Sequence, residues 1–554
     1  MIPQQNSQIS RLPRRWGIDG WSLGAFLIAA IVLAPMVAVV WIALHPTENI
    51  WPHLAATVLP RYLGTTLRMM FGVGLLAAIM GTGTAWLVTM YRFAGVRWLG
   101  WALLFPLAIP AYIGAYALAD FLDYAGPVQS VLRQVFDWPD ARAYWFPQIR
   151  SEPAAMLVLS CALYPYVYLL ARAALREQTG SFYEVARSLG LGPWGSFWRL
   201  GLPLLRPAIA TGVALVMMET VADFGTMQHF GVQTLTTGVF STWLNGNNAG
   251  GAAQLAGVSL VLILGLVAVE RRSRRHARFH GQSRATRPVD AVQLSRGAGA
   301  LALLACLVPF GLGFVLPVGV MAGHAIANPS VWAEPGLAAA ALNTVLVAGT
   351  AAVLTVGAAL FLVYGVRMAG RKFARAVLPI TTLGYAAPGA VLALGLLVPL
   401  AALDHRIADF VQSLTGHDPG LLLTGTAAAV VLAYVVRFFG IAQGAVDTAF
   451  GRISPNLPMA ARSLGRGPSG TLAAVYLPLM RGSVAASLLV VFVDCVKELP
   501  ATLLLRPFNF NTLSTRVYEL ASLEQLSKAA PAALVVVAMG LAAVGLLARA
   551  TRHD

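Results

Sequence analysis

One ten-residue stretch is written twice in this chain. Residues 184–193 read Glu-Val-Ala-Arg-Ser-Leu-Gly-Leu-Gly-Pro, and residues 459–468 read Met-Ala-Ala-Arg-Ser-Leu-Gly-Arg-Gly-Pro, 275 positions later. Each copy is followed by Leu-Pro at the same distance, Leu202-Pro203 and Leu477-Pro478. Each also sits between two long apolar runs, so the fold must present two equivalent polar islands at matching places in two halves. The local chemistry reads as a helical hairpin. Ser181 suits a helix N-cap and Glu184 the positive first turn. Gly190 and Gly465 suit the left-handed stop after a short helix. Gly192-Pro193 and Gly467-Pro468 then start a second helix, which Pro203 and Pro478 are expected to end. The hairpins are thus expected over 181–205 and 456–480.

The flanking runs fix the medium. The 554 residues are 58% hydrophobic and 11% charged, with a mean hydropathy of +0.70. Soluble domains carry roughly 25% charged residues. At about 20 apolar residues per crossing, runs near 21–44, 64–90, 98–121, 154–174, 206–228 and 253–270 read as spans. A second set follows near 297–323, 339–364, 375–402, 422–445, 482–505 and 529–549. The expected class is an all-α membrane protein of about twelve helices in two six-helix halves. The first transmembrane domain covers 1–270, a cytoplasmic linker 271–296 and the second domain 297–554. The run after Arg11, Arg14 and Arg15 is too long for a cleaved signal and is read as an uncleaved first helix. With six spans each, the halves enter the bilayer the same way up, as a parallel repeat about the membrane normal.

The chain carries a net charge of +16, yet the basic residues stand in short loops between apolar runs. That placement expresses topology, and nucleic acid is not expected as a partner. Arg92, Arg97, Arg199, Arg271, Arg272, Arg367, Arg452 and Arg466 fall on the hairpin side of the predicted spans. Glu48, Asp137, Asp140, Glu152, Glu334 and Asp418 fall on the opposite side. The positive-inside rule therefore puts both termini and both hairpins in the cytoplasm. Cys161, Cys306 and Cys495 lie inside apolar runs without paired spacing and read as small hydrophobes.

The hairpins resemble the coupling loop of ATP-binding-cassette importer permeases, whose pattern is Glu-Ala-Ala, three residues, Gly, nine residues, Ile-x-Leu-Pro. Glu184, Ala186, Gly190 and Pro203 carry it in the first copy, and Ala460, Ala461, Gly465 and Pro478 in the second. Val185 replaces one alanine, and Met459 replaces the glutamate of the second copy. The resemblance implies the type I permease fold and docking on two copies of a cytoplasmic ATPase subunit. The chain itself has no GxxxxGK[ST] loop, so ATP and Mg are expected on those partners, with no cofactor on this chain and no catalytic residue. The segment Glu219–Phe240 and the stretch Lys497–Leu520 are similar to ferric-iron importer permeases. That likeness implies an inner-membrane location and a periplasmic ferric-ion-binding protein as partner. Thiamine, polyamine and phosphonate permeases share the paired layout and stay open as alternatives, as does a proton-coupled secondary transporter.

Each hairpin is followed by a span with two acids four residues apart, Glu219 with Asp223 and Asp494 with Glu498. That spacing is expected to place both on one helix face. Acids at such depth are costly and mark an ion or substrate path, or are neutralised by Lys497 and nearby backbone. Oxygen donors suit a hard cation, so transient contact with iron is possible at Glu219 and Asp494, without a fixed metal site. Pro110 and Pro388, 278 apart, interrupt the third and ninth spans; either they lie on the substrate path or they are packing kinks.

Overall fold

The computed structural model describes residues 20–177, 188, 190–276, 291–369, 377–382, 384 and 387–550. In chain order its principal helices are α1 (Gly20–Leu44), α2 (Leu59–Met90), α3 (Val96–Ala102), α4 (Ala111–Leu122), α5 (Glu152–Glu177), α6 (Trp194–Ala222), α7 (Gly225–His229) and α8 (Ala249–His276). The second half repeats the series as α9 (Arg296–Ala327), α10 (Leu337–Ala369), α11 (Gly389–Thr415), α12 (Ala427–Arg452), α13 (Asn456–Ser463), α14 (Pro468–Lys497), α15 (Pro500–Leu505), α16 (Leu513–Ser522) and α17 (Leu526–Ala550). Among the described residues, eleven helices are long and apolar enough to cross a bilayer. The pair that contains α3 and α4, bent by 95°, passes the same test together and makes twelve if it is counted as one broken span. The number of runs agrees with the sequence, but the ninth, expected near 375–402, is found as Gly389–Thr415 because Pro388 restarts the helix there.

The break between α3 and α4 has a local cause. After a 3-10 turn at Phe105–Ala108, Pro110 takes φ −58° and ψ 137° and starts α4 from an extended conformation. Pro388 repeats this at φ −56° and ψ 146° ahead of α11. Proline lacks the N–H an uninterrupted helix needs, so both spans restart there.

At Pro203 and Pro478 the expectation was different, and the structure corrects it. Those prolines do not end a helix; α6 and α14 run straight through them. Each proline follows a π turn, Phe197–Gly201 in α6 and Leu472–Tyr476 in α14. Leu202 N–H bonds to the Phe197 carbonyl and Leu477 N–H to that of Leu472, five residues back. The wider turn accommodates the ring that would clash in an α-helix. A third π turn, Gly311–Val315, precedes Leu316-Pro317 in α9 in the same way.

The first helix of each half seats on the other half. α1 lies along α10 and α11, and where it meets α11 there is no room for a Cβ on Gly395 beneath the Pro35 carbonyl. α9 packs on α4, and its Gly313 leaves no room for a Cβ beneath the Cys161 carbonyl of α5. Small residues permit such close backbone approach where no water-driven force joins helices. A two-residue parallel pairing, Tyr91 with Val292 and Arg92 with Gln293, ties the loop after α2 to the chain entering α9.

The repeat extends to individual hydrogen bonds. Thr234 and Thr237 form a capping box, as do Thr512 and Thr515. Leu235 N–H donates to Thr66 Oγ1 at 3.0 Å, and Leu513 N–H to Thr344 Oγ1 at 2.8 Å. All four positions are buried. Replacing Thr66 or Thr344 by valine keeps the shape and strands a buried N–H, which costs about 1–3 kcal/mol. Each variant is expected to insert normally and to unfold at a lower temperature than the native protein in detergent. Equal melting temperatures would remove these bonds from the account.

Candidate functional site: a carboxylate-lined cavity between the halves

Inside this frame the two copies of the acid-bearing span converge. α6 stops at Ala222 and α14 at Lys497, so Asp223 and Glu498 lie one residue beyond their helices with extended ψ angles of 129° and 121°. The expected arrangement of Glu219 with Asp223, and Asp494 with Glu498, on one continuous face is therefore not what forms. The second acid of each pair instead caps the short helix that follows. Asp223 Oδ1 accepts from Thr226 N–H at 3.0 Å and Met227 N–H at 3.2 Å, at the start of α7. Glu498 Oε1 accepts from Ala501 N–H at 3.0 Å at the start of α15. The chain breaks here because a carboxylate is at hand to satisfy the new helix end.

All four acids nevertheless line one cavity of about 140 Å³, together with Pro110, Tyr166, Arg437 and Lys497. Glu219 and Asp223 come from the first half, Asp494 and Glu498 from the second. Pro110 reaches the cavity and Pro388 does not. The residue after Pro388 does have a role at its edge: a Cβ on Gly389 would overlap Glu498 Oε1 and lie 2.6 Å from Arg437 Nη1. The break at Pro388 therefore delivers a glycine to the back of an ion pair.

That pair, Arg437 Nε to Glu498 Oε2 at 3.0 Å, is buried, with side chains 10% and 4% exposed. Lys497 Nζ lies 3.0 Å from Asp494 Oδ1. Lys497 is the neutralising group that the sequence suggests, whereas Arg437 is a cation that sequence reasoning does not pick out. The signal was an arginine in the middle of the apolar run 422–445, where a charge needs a partner. Both cations belong to the second half; the positions 275 residues earlier are Ala162 and Ala222, which also line the cavity. Four carboxylates against two cations leave an acidic excess. Among the described residues no three His, Cys, Asp or Glu side chains converge as a metal site.

At the hairpin end, Gly190 and Gly465 have φ of +77° and +82°. In the second copy α13 closes in a full Schellman turn: Gly465 N–H bonds to the Arg462 carbonyl at 3.0 Å and Arg466 N–H to that of Ala461 at 3.1 Å. Only glycine takes that conformation without strain. Met459 and Ala460 face outward, with Leu464 83% exposed, while Ala461 is buried within the hairpin. Tyr364 Oη donates to the Pro468 carbonyl at 2.7 Å and binds the hairpin to α10. Pro203 and Pro478 stand at the junctions where the hairpins become α6 and α14. Glu184 and Ala186 lie outside the described residues.

Residues 75–275 match the family model described as "Binding-protein-dependent transport system inner membrane component". The chain is 28% identical over 482 residues to the "Fe(3+)-transport system permease protein FbpB 2" of Haemophilus influenzae, covering 86% of this chain and 87% of that one. It is 23% identical over 437 residues to the "Putative ferric transport system permease protein FbpB 1" of the same organism, covering 75% and 64%. The "Sulfate transport system permease protein CysT" of Escherichia coli is 28% identical over 207 residues, covering 37% of this chain and 72% of that one. The matched region holds the first hairpin and the first acid pair, and the long alignment runs through both halves. Residues 75–275 are thus similar to the inner membrane component of binding-protein-dependent transport systems, and the eleven long apolar helices agree with a multi-pass membrane protein.

Proposed function

We propose that this permease imports ferric iron, received from a periplasmic ferric-ion-binding protein and moved by two copies of a cytoplasmic ATPase subunit. The observation that carries the cargo assignment is the excess of carboxylates in the cavity between the halves. Oxygen ligands suit a hard, highly charged cation, and weak, distributed contacts let it leave again. The likeness to two ferric permeases along most of the chain supports the same reading. An acidic cavity repels a sulfate dianion, so the shorter match to a sulfate permease is read as shared machinery. Thiamine or a polyamine remains the alternative cargo to include in the same assay.

The motor contact is assigned to the two hairpins. In the second copy the outward surface is apolar, with Leu457, Met459 and Leu464 exposed. Met459 presents a thioether where the resembling motif has a carboxylate, so this contact rests on packing and the two docking sites are unequal. With the basic loops inward, hairpins and termini are cytoplasmic. ATP and Mg belong to the partner subunits. Closure of the ATPase dimer draws the hairpins together, and the rigid path from α13 through the π turn into α14 carries that motion to the cavity. A proton-coupled carrier has no use for such hairpins.

Two outcomes are expected. In proteoliposomes containing permease, ATPase and binding protein, Glu219→Gln with Asp494→Asn should lower ATP-driven iron uptake at least tenfold while the complex still assembles. Undiminished uptake would assign those acids to structure. Gly465→Val imposes a left-handed conformation on a β-branched residue, at a cost of roughly 1–2 kcal/mol. It should reduce co-purification of the ATPase with an intact membrane domain, and normal co-purification would count against the docking assignment.

A further inference from the structure

Lys497 has a second partner, and it belongs to the other half of the protein. Its Nζ donates to the Leu107 carbonyl at 3.2 Å while lying 3.0 Å from Asp494 Oδ1. The break in the third span makes that carbonyl available. Leu107 lies in the 3-10 turn before Pro110, and proline has no N–H with which to close the next turn. In a bilayer an exposed carbonyl needs a donor from the protein. The same turn is clasped from the second half by α17, whose Gly540 leaves 2.7 Å between a would-be Cβ and the Ala108 carbonyl. Leu107, Pro110, Asp494 and Lys497 all line the cavity. One ammonium thus links the cavity's charge to the junction between the halves. The link exists once, because Ala222 occupies the equivalent position in the first half.

We propose that Lys497 is a cargo-displaceable tie between the halves. In the empty cavity its ammonium is neutralised by Asp494 and holds the Leu107 carbonyl. A cation entering the cavity takes over Asp494 and repels the ammonium, which leaves Leu107 and frees the halves to separate. The tie makes engagement of the motor depend on occupancy, and it makes Lys497 a positioning residue that acts through Asp494 and the broken span. This inference rests on the cargo being a cation.

The test is the rate of ATP hydrolysis without cargo by the full complex in proteoliposomes. Lys497→Met keeps the length of the side chain and removes the ammonium. It is expected to raise cargo-free hydrolysis roughly tenfold, the size of a typical coupling between two sites. The loaded binding protein should then stimulate it little further. Lys497→Arg should restore cargo dependence. Pro110→Ala supplies a backbone N–H that competes for the turn's carbonyls, and should raise the cargo-free rate independently of any change at position 497. Hydrolysis that stays as cargo-dependent as native in both Lys497→Met and Pro110→Ala would overturn the tie. The cargo-free rate does not depend on which ion is carried. A raised cargo-free rate in the variants, with a native complex that takes up another cation and no iron, would therefore support the tie and refute the iron assignment.

Discussion

A bilayer offers no hydrogen bonds, and this protein is shaped by that lack. At several places where a described span departs from the α-helix, the chain itself supplies the partner. Asp223 and Glu498 close the new helix starts after α6 and α14. Lys497 covers a carbonyl at the break before Pro110. π turns take up the rings at Pro203, Pro317 and Pro478. These departures are also where the cavity-lining acids stand. A straight helix would have kept Glu219 and Asp223 stacked on one side; breaking it brings all four acids to one cavity while each second acid satisfies backbone. The carboxylates that satisfy the backbone also line the cavity.

The two halves are alike in backbone and unlike in charge. Thr66 with Leu235 and Thr344 with Leu513 repeat a single hydrogen bond at nearly the same length, and the first helix of each half is lent to the other. Yet Arg437 and Lys497 have alanine counterparts in the first half. A duplicated frame with unequal charges gives a cavity with two chemically different walls. A buried ion pair such as Arg437 with Glu498 is weak evidence for stability. Its placement behind Gly389, with no space for a larger residue, argues that it sets the shape of one wall.

Much of this was legible in the sequence because it depends on periods and on residues with few conformational options. Apolar runs of bilayer length gave the spans, the 275-residue offset gave the halves, and Gly190 and Gly465 announced their left-handed turns. The breaks at Pro110 and Pro388 were visible for the same reason. What failed was any inference that assumed helix continuity. The i, i+4 rule placed Asp223 and Glu498 on a face that ends before them, and the helix-ending rule for proline ignored a π turn that sequence does not advertise. Arg437 was readable as an isolated charge inside an apolar run, but its partner, 61 residues away, is set by tertiary packing alone.

The central claim is that an acidic cavity between the halves lies on the cargo's path and opens under ATP. Cysteine placed at Ala162 or Ala222, both on its wall, tests this directly once the three native cysteines, all buried, are replaced by alanine. The measurement is the rate of labelling by a cationic and by an anionic thiol reagent of similar size, with and without ATP and loaded binding protein. The account predicts labelling that depends on the transport cycle and is faster for the cationic reagent. Labelling that is absent in every state, or equally fast for both reagents, would contradict it.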